Sequence, residues 1–123
     1  MTREKISTGK LGEDIAAEHL AGVCYEILER NFRCPLGEID IVARDHETLV
    51  FVEVRSRRTD SYGSPLESVG FAKQKKLSRV AEYYLNRHGL QQIKARFDVV
   101  AVKLRPSRPE VEVIRDAFDL AYE

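Results

Sequence analysis

The segment that decides the fold is GEIDIVARDHETLVFVEVRSR, which occupies residues 37–57. It contains two stretches rich in Ile, Val, Leu and Phe, residues 38–44 and 49–55, which are joined by the polar residues DHET. Apolar, β-branched runs on either side of a short polar loop predict a β-hairpin. Each predicted strand nevertheless has a carboxylate in its middle, Asp40 in the first strand and Glu53 in the second. A charge at such a position needs a compensating partner or a function.

The hairpin register predicts that the two carboxylates share one face of the sheet. With DHET as the loop, Arg44 lies opposite Leu49, and the same register places Asp40 directly opposite Glu53. Any loop with an even number of residues keeps the two carboxylates on one face, whereas an odd number separates them. Side chains of the second strand alternate between the faces, with Leu49, Phe51, Glu53 and Arg55 on one side and Val50, Val52 and Val54 on the other.

The remaining segments predict helices and strands on both sides of this hairpin. The predicted elements are a helix at 8–21, a strand at 24–32, the two hairpin strands, a helix that follows a capping box at Ser64, Pro65 and Glu67 and ends at Gly89, and strands at 96–104 and 111–118. Gly70 is a candidate break near the start of the second helix. This order, α-β-β-β-α-β-β, is typical of an α/β sandwich in which helices pack on a mixed sheet.

The composition is that of one ordinary globular domain. The chain has 123 residues, and we expect a single domain over residues 1–123. Hydrophobic residues make up 43% and charged residues 33%, which favours a packed protein over a disordered one. The net charge is zero, so a polyanion site must come from local segregation of charge. The sequence has no apolar run that spans a membrane and no apolar segment near its N-terminus, so we expect a cytoplasmic protein with no membrane partner.

Two explanations account for carboxylates that face each other across a hairpin. In the first, Arg55 and Arg44 neutralise the two carboxylates in an internal salt-bridge network. In the second, Asp40 and Glu53 hold a divalent metal, and Mg²⁺ or Mn²⁺ matches best because these ions bind a few carboxylates and retain water. Glu13, on the predicted first helix, supplies a third oxygen if that helix packs over the hairpin. Otherwise it is a solvated glutamate favoured by the helix dipole.

Five segments, GEDIAAEHL, RNFR, GEIDIVARD, LVFVEVRSR and RFDVVAV, occur in an order and at a spacing that are specific in combination. Over residues 11–102 they resemble the YraN family of bacterial proteins, a group related to archaeal Holliday-junction resolvases within the PD-(D/E)XK nuclease superfamily. The resemblance implies a restriction-endonuclease-like αβββαβ core, in which helices flank a mixed central sheet, with a C-terminal edge strand. It also implies that Asp40 and Glu53 are metal ligands and that Glu13 is the acid carried by the first helix.

Arg55 occupies the position at which the superfamily motif has its lysine. A lysine there orients or helps to activate the attacking water, whereas a guanidinium stays protonated and acts as a fixed charge and donor. The set of catalytic residues that the resemblance implies is Glu13, Asp40, Glu53 and Arg55. Arg55 is expected to neutralise charge that develops in the transition state. A second departure, Ile39 in place of the motif's proline, leaves the aspartate itself in place.

Cations gather in two places where a nucleic acid can contact them. Arg57 and Arg58 follow the third strand, and Lys73 and Lys76 lie near the start of the second helix. Lysine and arginine side chains bind phosphates without reading bases, so these four residues are the predicted nucleic-acid contacts. The alternative is a solvated helix surface whose lysines serve solubility.

The sequence therefore predicts metal-dependent hydrolysis of phosphodiester bonds, in DNA rather than RNA, with Mg²⁺ or Mn²⁺ as the cofactor. By analogy with junction resolvases, branched or flapped DNA is the expected substrate. Two alternatives stay open: a nucleic-acid-binding module of the same fold with weak or no catalysis, and a non-catalytic interaction protein. A homodimer is expected because one small nuclease domain does not easily cut two strands symmetrically.

Overall fold

Two helices and five strands follow one another in the predicted order in residues 8–58 and 69–119, the part of the chain that the computed structural model describes. They are α1 (Thr8–Gly22), β1 (Glu26–Cys34), β2 (Gly37–Asp45), β3 (Thr48–Arg57), α2 (Phe71–Arg87), β4 (Ala95–Lys103) and β5 (Glu110–Phe118). The predicted capping box at residues 64–67 lies outside the described residues. Gly70 is the N-cap of α2 rather than a break within it, and Gly89, with a φ of +66°, follows the C-cap as predicted.

The five strands form one mixed sheet in the order β1-β2-β3-β4-β5. Strands β3 and β4 are parallel, whereas the other neighbouring strands are antiparallel. A parallel pair needs a long crossover connection, and α2 lies in the segment that connects β3 to β4. The predicted α/β fold is confirmed: the chain has a restriction-endonuclease-like αβββαβ core, and β5 is the C-terminal edge strand.

A separate hydrophobic core covers each face of the sheet, and each core includes one helix. The α2-side core contains Phe51 and Phe97 of the sheet, whose ring centroids lie 5.6 Å apart, together with Tyr84 of α2. The α1-side core contains Val52 of the sheet and Leu20 of α1. Strand β3 is buried on both faces, which explains why its sequence is almost continuously apolar. In the described part of the chain, neither helix is long and apolar enough to cross a membrane.

The hairpin of β2 and β3 has the predicted register but a shorter turn. Asp45 pairs with Thr48, so the turn consists of His46 and Glu47, and the prediction of a four-residue loop is wrong. The φ of +56° at His46 helps the chain to reverse direction within two residues. Because two and four are both even, the shorter turn leaves the predicted facing of the strands unchanged.

Helix α1 approaches β3 so closely that only glycine fits at the point of contact. A Cβ atom added at Gly12 would lie 1.7 Å from Oγ of Ser56 and 2.7 Å from the Cβ of that serine. Glycine permits this approach because it has no side chain. The contact also sets the position of Glu13, which is the next residue along the helix.

Replacing Gly12 with alanine should destabilise the protein although alanine favours helices. Relief of the overlap with Ser56 requires α1 to move away from β3, which costs about 1–3 kcal/mol, whereas the helix propensity of alanine returns at most about 1 kcal/mol. Urea unfolding measures the difference. Gly9→Ala is the matched control, because no atom lies within 4 Å of a Cβ added there. A Gly12→Ala variant as stable as the control would contradict a role for this contact.

Candidate active site

The candidate site lies where β2 and β3 stop pairing. Their ladder runs from the turn to the pair formed by Ile41 and Val52, and it ends one pair before Asp40 and Glu53. Beyond that end, the backbone N–H of Val54 donates a hydrogen bond of 2.8 Å to Oδ2 of Asp40. A side-chain carboxylate therefore fixes the two strands where backbone pairing has ended.

Strand β2 interrupts its alternation at Asp40. Ile39 and Val42 both belong to the α2-side core, whereas Ile41 and Ala43 belong to the α1-side core. A strictly alternating strand would place Ile39 on the same face as Ile41. The interruption leaves Asp40 at the point where the strand changes faces, so its carboxylate is able to meet groups carried by elements on both sides of the sheet.

Three acids from two elements come together at this point. Glu13 of α1 and two residues of β2, Glu38 and Asp40, each place a carboxylate oxygen within 4.8 Å of the other two. We call these three residues the acid cluster. Glu38 is a member that the sequence reasoning missed, although its spacing of two residues from Asp40 along a strand is a signal for a shared face. Oε2 of Glu38 also accepts a hydrogen bond of 2.8 Å from Nε of Arg33.

Burial and neighbouring carboxylates raise the pKa of Asp40 from its usual value of 3.8 to about 7. Burial is the largest cause, followed by the charge of Glu53, and the charge of Glu13 adds to the increase. The N–H of Val54 acts in the opposite direction because it favours the charged carboxylate. The structure therefore brings Asp40 together with both Glu53 and Glu13, although Asp40 and Glu53 do not form the directly paired position in the ladder that the hairpin register predicted.

Two cations neutralise Glu53. Its buried carboxylate oxygen Oε2 lies 3.3 Å from a guanidinium nitrogen of Arg55 and 3.0 Å from Nζ of Lys73. The salt-bridge explanation is thus right for Arg55 but wrong for Arg44, which is exposed and lies 3.9 Å from Glu26. Lys73, which the sequence indicated as a phosphate contact, is in addition a direct partner of the candidate ligand Glu53.

The other three predicted nucleic-acid contacts lie in different parts of the fold. Arg57 is the last residue of β3, and Arg58 lines a groove beside Leu11 of α1. Lys76 instead lines a cleft with Leu36, in the turn between β1 and β2. Lys73 is joined to the site by its ion pair with Glu53, and Lys76 lies three residues further along the same helix.

A second buried carboxylate, Asp98 of β4, differs from Asp40 because hydrogen-bond donors surround it. Asp98 is fully buried and accepts hydrogen bonds from the hydroxyl of Tyr25 at 2.7 Å, from Nε of Arg96 at 2.9 Å and from the backbone N–H of Asp116 at 2.9 Å. Arg96 also lowers the pKa of Asp45 to about 2. Donors surround Asp98, whereas Asp40 has other carboxylates as its neighbours.

The donor set around Asp40 fits a hard divalent cation. Carboxylate oxygens are the ligands that Mg²⁺ and Mn²⁺ prefer, and the acid cluster together with Glu53 presents four carboxylates at one end of the hairpin. In the described residues, the hydrogen-bond donor to Asp40 is a neutral backbone amide rather than a cation. A divalent ion would relieve the repulsion from Glu53 and Glu13, which adds to the effect of burial on the pKa of Asp40.

The fold and the site define a class: an α/β protein with a restriction-endonuclease-like core whose acids meet where two central strands separate. Within that class, the chain belongs to the Uncharacterised protein family UPF0102, whose family model matches residues 12–102. A UPF0102 protein of Syntrophus aciditrophicus is 53% identical over 119 residues, covering 97% of this chain and 94% of the relative. A relative from Moorella thermoacetica is 52% identical and covers 96% and 100%, and one from Geobacter sulfurreducens is 51% identical and covers 93% and 90%. These matches confirm the resemblance to the YraN family, and the names of the relatives state no activity.

The pKa of Asp40 predicts how stability depends on pH when divalent ions are removed. Between about pH 4 and about pH 7 the folded protein holds a proton on Asp40 that the unfolded chain has lost, so the free energy of unfolding should fall as pH rises through this window. The loss should be on the order of 2–4 kcal/mol.

Asp40→Asn should remove this dependence and be more stable than the wild type at pH 8 in EDTA, because its amide oxygen still accepts the Val54 N–H. Urea unfolding at several pH values measures both proteins, with Glu47→Gln in the exposed turn as the control. Parallel curves for the wild type and Asp40→Asn would contradict the raised pKa.

Proposed function

We propose that this protein is a metal-dependent endonuclease that hydrolyses phosphodiester bonds in DNA. The observation that carries the proposal is the crowding of Glu13, Glu38 and Glu53 around Asp40. Such crowding costs folding free energy, since it destabilises the ionised form of a buried carboxylate at neutral pH. Titratable groups perturbed in this way concentrate at functional sites. Asp98 in the same sheet gives the contrast, because three residues, Tyr25, Arg96 and Asp116, donate hydrogen bonds to its carboxylate.

Asp40 and Glu53 are the residues that would hold Mg²⁺ or Mn²⁺, and Glu13 and Glu38 offer further oxygens beside Asp40. When bound, such an ion supplies an activated water at neutral pH and neutralises charge on the phosphate. The carboxylates themselves accept hydrogen bonds, so those that do not bind the ion can orient a water molecule and receive its proton.

Two cations beside Glu53, Arg55 and Lys73, together take the place of the single lysine of the superfamily motif in this proposal. Arg55 carries a guanidinium group and serves as a fixed charge for the phosphate oxygens. Lys73 has a compact ammonium group with three rotatable donors, and it reaches Glu53 from α2 rather than from β3. We propose that Lys73 acts in place of the motif's lysine and stabilises the negative charge that develops at the phosphate.

The proposed substrate is DNA, contacted through its phosphates by Arg57, Arg58 and Lys76. A preference for branched or flapped structures rests on the resemblance to the resolvases alone. A homodimer remains our proposal for cutting both strands. The proposed location in the cytoplasm likewise rests on the sequence.

One observation favours a second candidate, a binding module that hydrolyses DNA slowly or not at all. The carboxylate of Glu53 already has two cationic partners, Arg55 and Lys73, and both must rearrange or share it before a metal ion binds. If that rearrangement is unfavourable, the same surface binds nucleic acid without cutting it.

Nuclease assays separate these functions. Labelled duplex, flap and four-way-junction DNA should be cut in Mg²⁺ or Mn²⁺ but not in EDTA, and Asp40→Asn or Glu53→Gln should lower the rate by about a hundredfold or more. Glu47→Gln, an exposed acid in the hairpin turn, is the matched control and should retain full activity. Binding that persists in EDTA without any cutting would favour the module. Identical calorimetric heats for Mn²⁺ with wild type and Asp40→Asn would contradict the metal site.

Lys73→Gln tests the role assigned to the lysine of α2. If the ammonium stabilises the reacting phosphate, kcat should fall at least about tenfold with little change in KM, because the interaction is made in the transition state. Lys76→Gln, three residues further along the helix, should instead raise KM. A rise in KM alone for Lys73→Gln would show that Lys73 contributes only to phosphate binding.

A further inference from the structure

A cleft with apolar and basic walls lies next to the candidate active site. Its volume is about 390 Å³. One wall is the turn between β1 and β2, which contributes Leu36, and the other is the exposed face of α2. The residues of α2 that line it are Ala72, Lys75, Lys76 and Arg79.

Two large hydrophobic side chains are exposed beside these cations. Phe71, the first residue of α2, is 67% exposed, and Leu36 is 46% exposed. Nζ of Lys75 lies 5.9 Å from the centre of the Phe71 ring, one turn along the helix. An aromatic ring with this exposure contributes little to the hydrophobic core and presents a face on which a ligand can stack.

Each wall of the cleft is adjacent in the chain to a residue of the candidate site. On the helix side, Lys73 contacts Glu53 and lies three residues before Lys76 of the cleft, a spacing that makes the two lysines neighbours on the helix surface. On the turn side, Glu38 of the acid cluster follows Gly37, the first residue of β2. The walls are tightly packed at this point, since a Cβ added at Gly37 would lie 3.1 Å from Cε of Lys76. A nucleic-acid strand that passes from the acids along α2 therefore enters this cleft.

We infer that the cleft and the Phe71 ring, which lies beside it next to Lys75, bind an unpaired segment of the nucleic-acid substrate, with a base stacked on Phe71 and phosphates contacted by Lys75, Lys76 and Arg79. The inference rests on the proposed function for its choice of ligand. Charge complementarity supports a polyanion, because the lining residues within 8–58 and 69–119 include three cations and no acid. Aromatic rings interleaved with cations are typical of single-strand binding, in which each base offers a face for stacking.

The unpaired state of the segment follows from the geometry of stacking. An exposed ring such as Phe71 can stack on a base only when that base has a free face, and bases inside a duplex are already stacked on one another. Leu36 supplies an apolar surface at the opposite wall. The cleft therefore favours a flap, an overhang or the opened strands of a branch over a continuous duplex.

Binding measured in EDTA tests the inference without any cutting. Fluorescence anisotropy should show that Phe71→Ala weakens the binding of a labelled single strand roughly tenfold, while binding of blunt duplex changes less than about twofold. Phe71→Trp should retain the wild-type affinity. Val23→Ala is the matched control, because Val23 is 51% exposed and lies directly after α1 rather than on α2. A strand that contains 2-aminopurine should lose fluorescence on binding the wild type but not Phe71→Ala.

Equal affinities of the wild type and Phe71→Ala for the single strand, or equal losses for single strand and duplex, would overturn the inference. These outcomes are distinguishable from failure of the proposed function. A protein that cuts DNA in Mn²⁺ but binds single strands independently of Phe71 retains the function and refutes the inference. A protein that binds through Phe71 but never cuts refutes the function and retains the inference.

Discussion

The hydrogen bond from the Val54 N–H to the carboxylate of Asp40 is the interaction on which the site depends. It anchors a buried carboxylate at the point where β2 and β3 stop pairing. Burial and the charges of Glu53 and Glu13 oppose the ionised form of Asp40, and this one donor favours it. A carboxylate whose pKa lies near 7 is able either to hold a proton or to bind a cation at neutral pH.

The rest of the fold brings partners to that carboxylate from both faces of the sheet. The contact between Gly12 and Ser56 lets α1 lie close enough to place Glu13 beside Asp40. On the other face, α2 reaches Glu53 through Lys73. The two hydrophobic cores therefore do more than stabilise the sheet, because each one fixes the helix that carries a charged group to the site.

The positive charges at the site contact Glu53 rather than Asp40, and this difference bears on whether the site can bind a metal ion. Glu53 has two cationic partners, whereas the described neighbours of Asp40 are a backbone amide and other acids. A divalent ion at Asp40 would neutralise the negative charge of the acids there. If the ion also displaced Arg55 or Lys73 from Glu53, the displaced cation would be able to contact a phosphate. The proposed enzyme requires this displacement, whereas the binding module does not. The adjoining cleft beside Phe71 extends the same surface along α2 in either case.

The sequence alone determined the order of the elements, the hairpin register and the facing of β3, because these follow from side-chain periodicity and from the parity of a short turn. It thereby indicated that Asp40 and Glu53 meet. Only the tertiary structure decided that β2 changes faces at Asp40, that Glu38 joins Glu13, and that Lys73 contacts Glu53. These contacts join residues far apart in the chain, and their distances are set by how closely the helices pack on the sheet, which no local pattern of residues specifies.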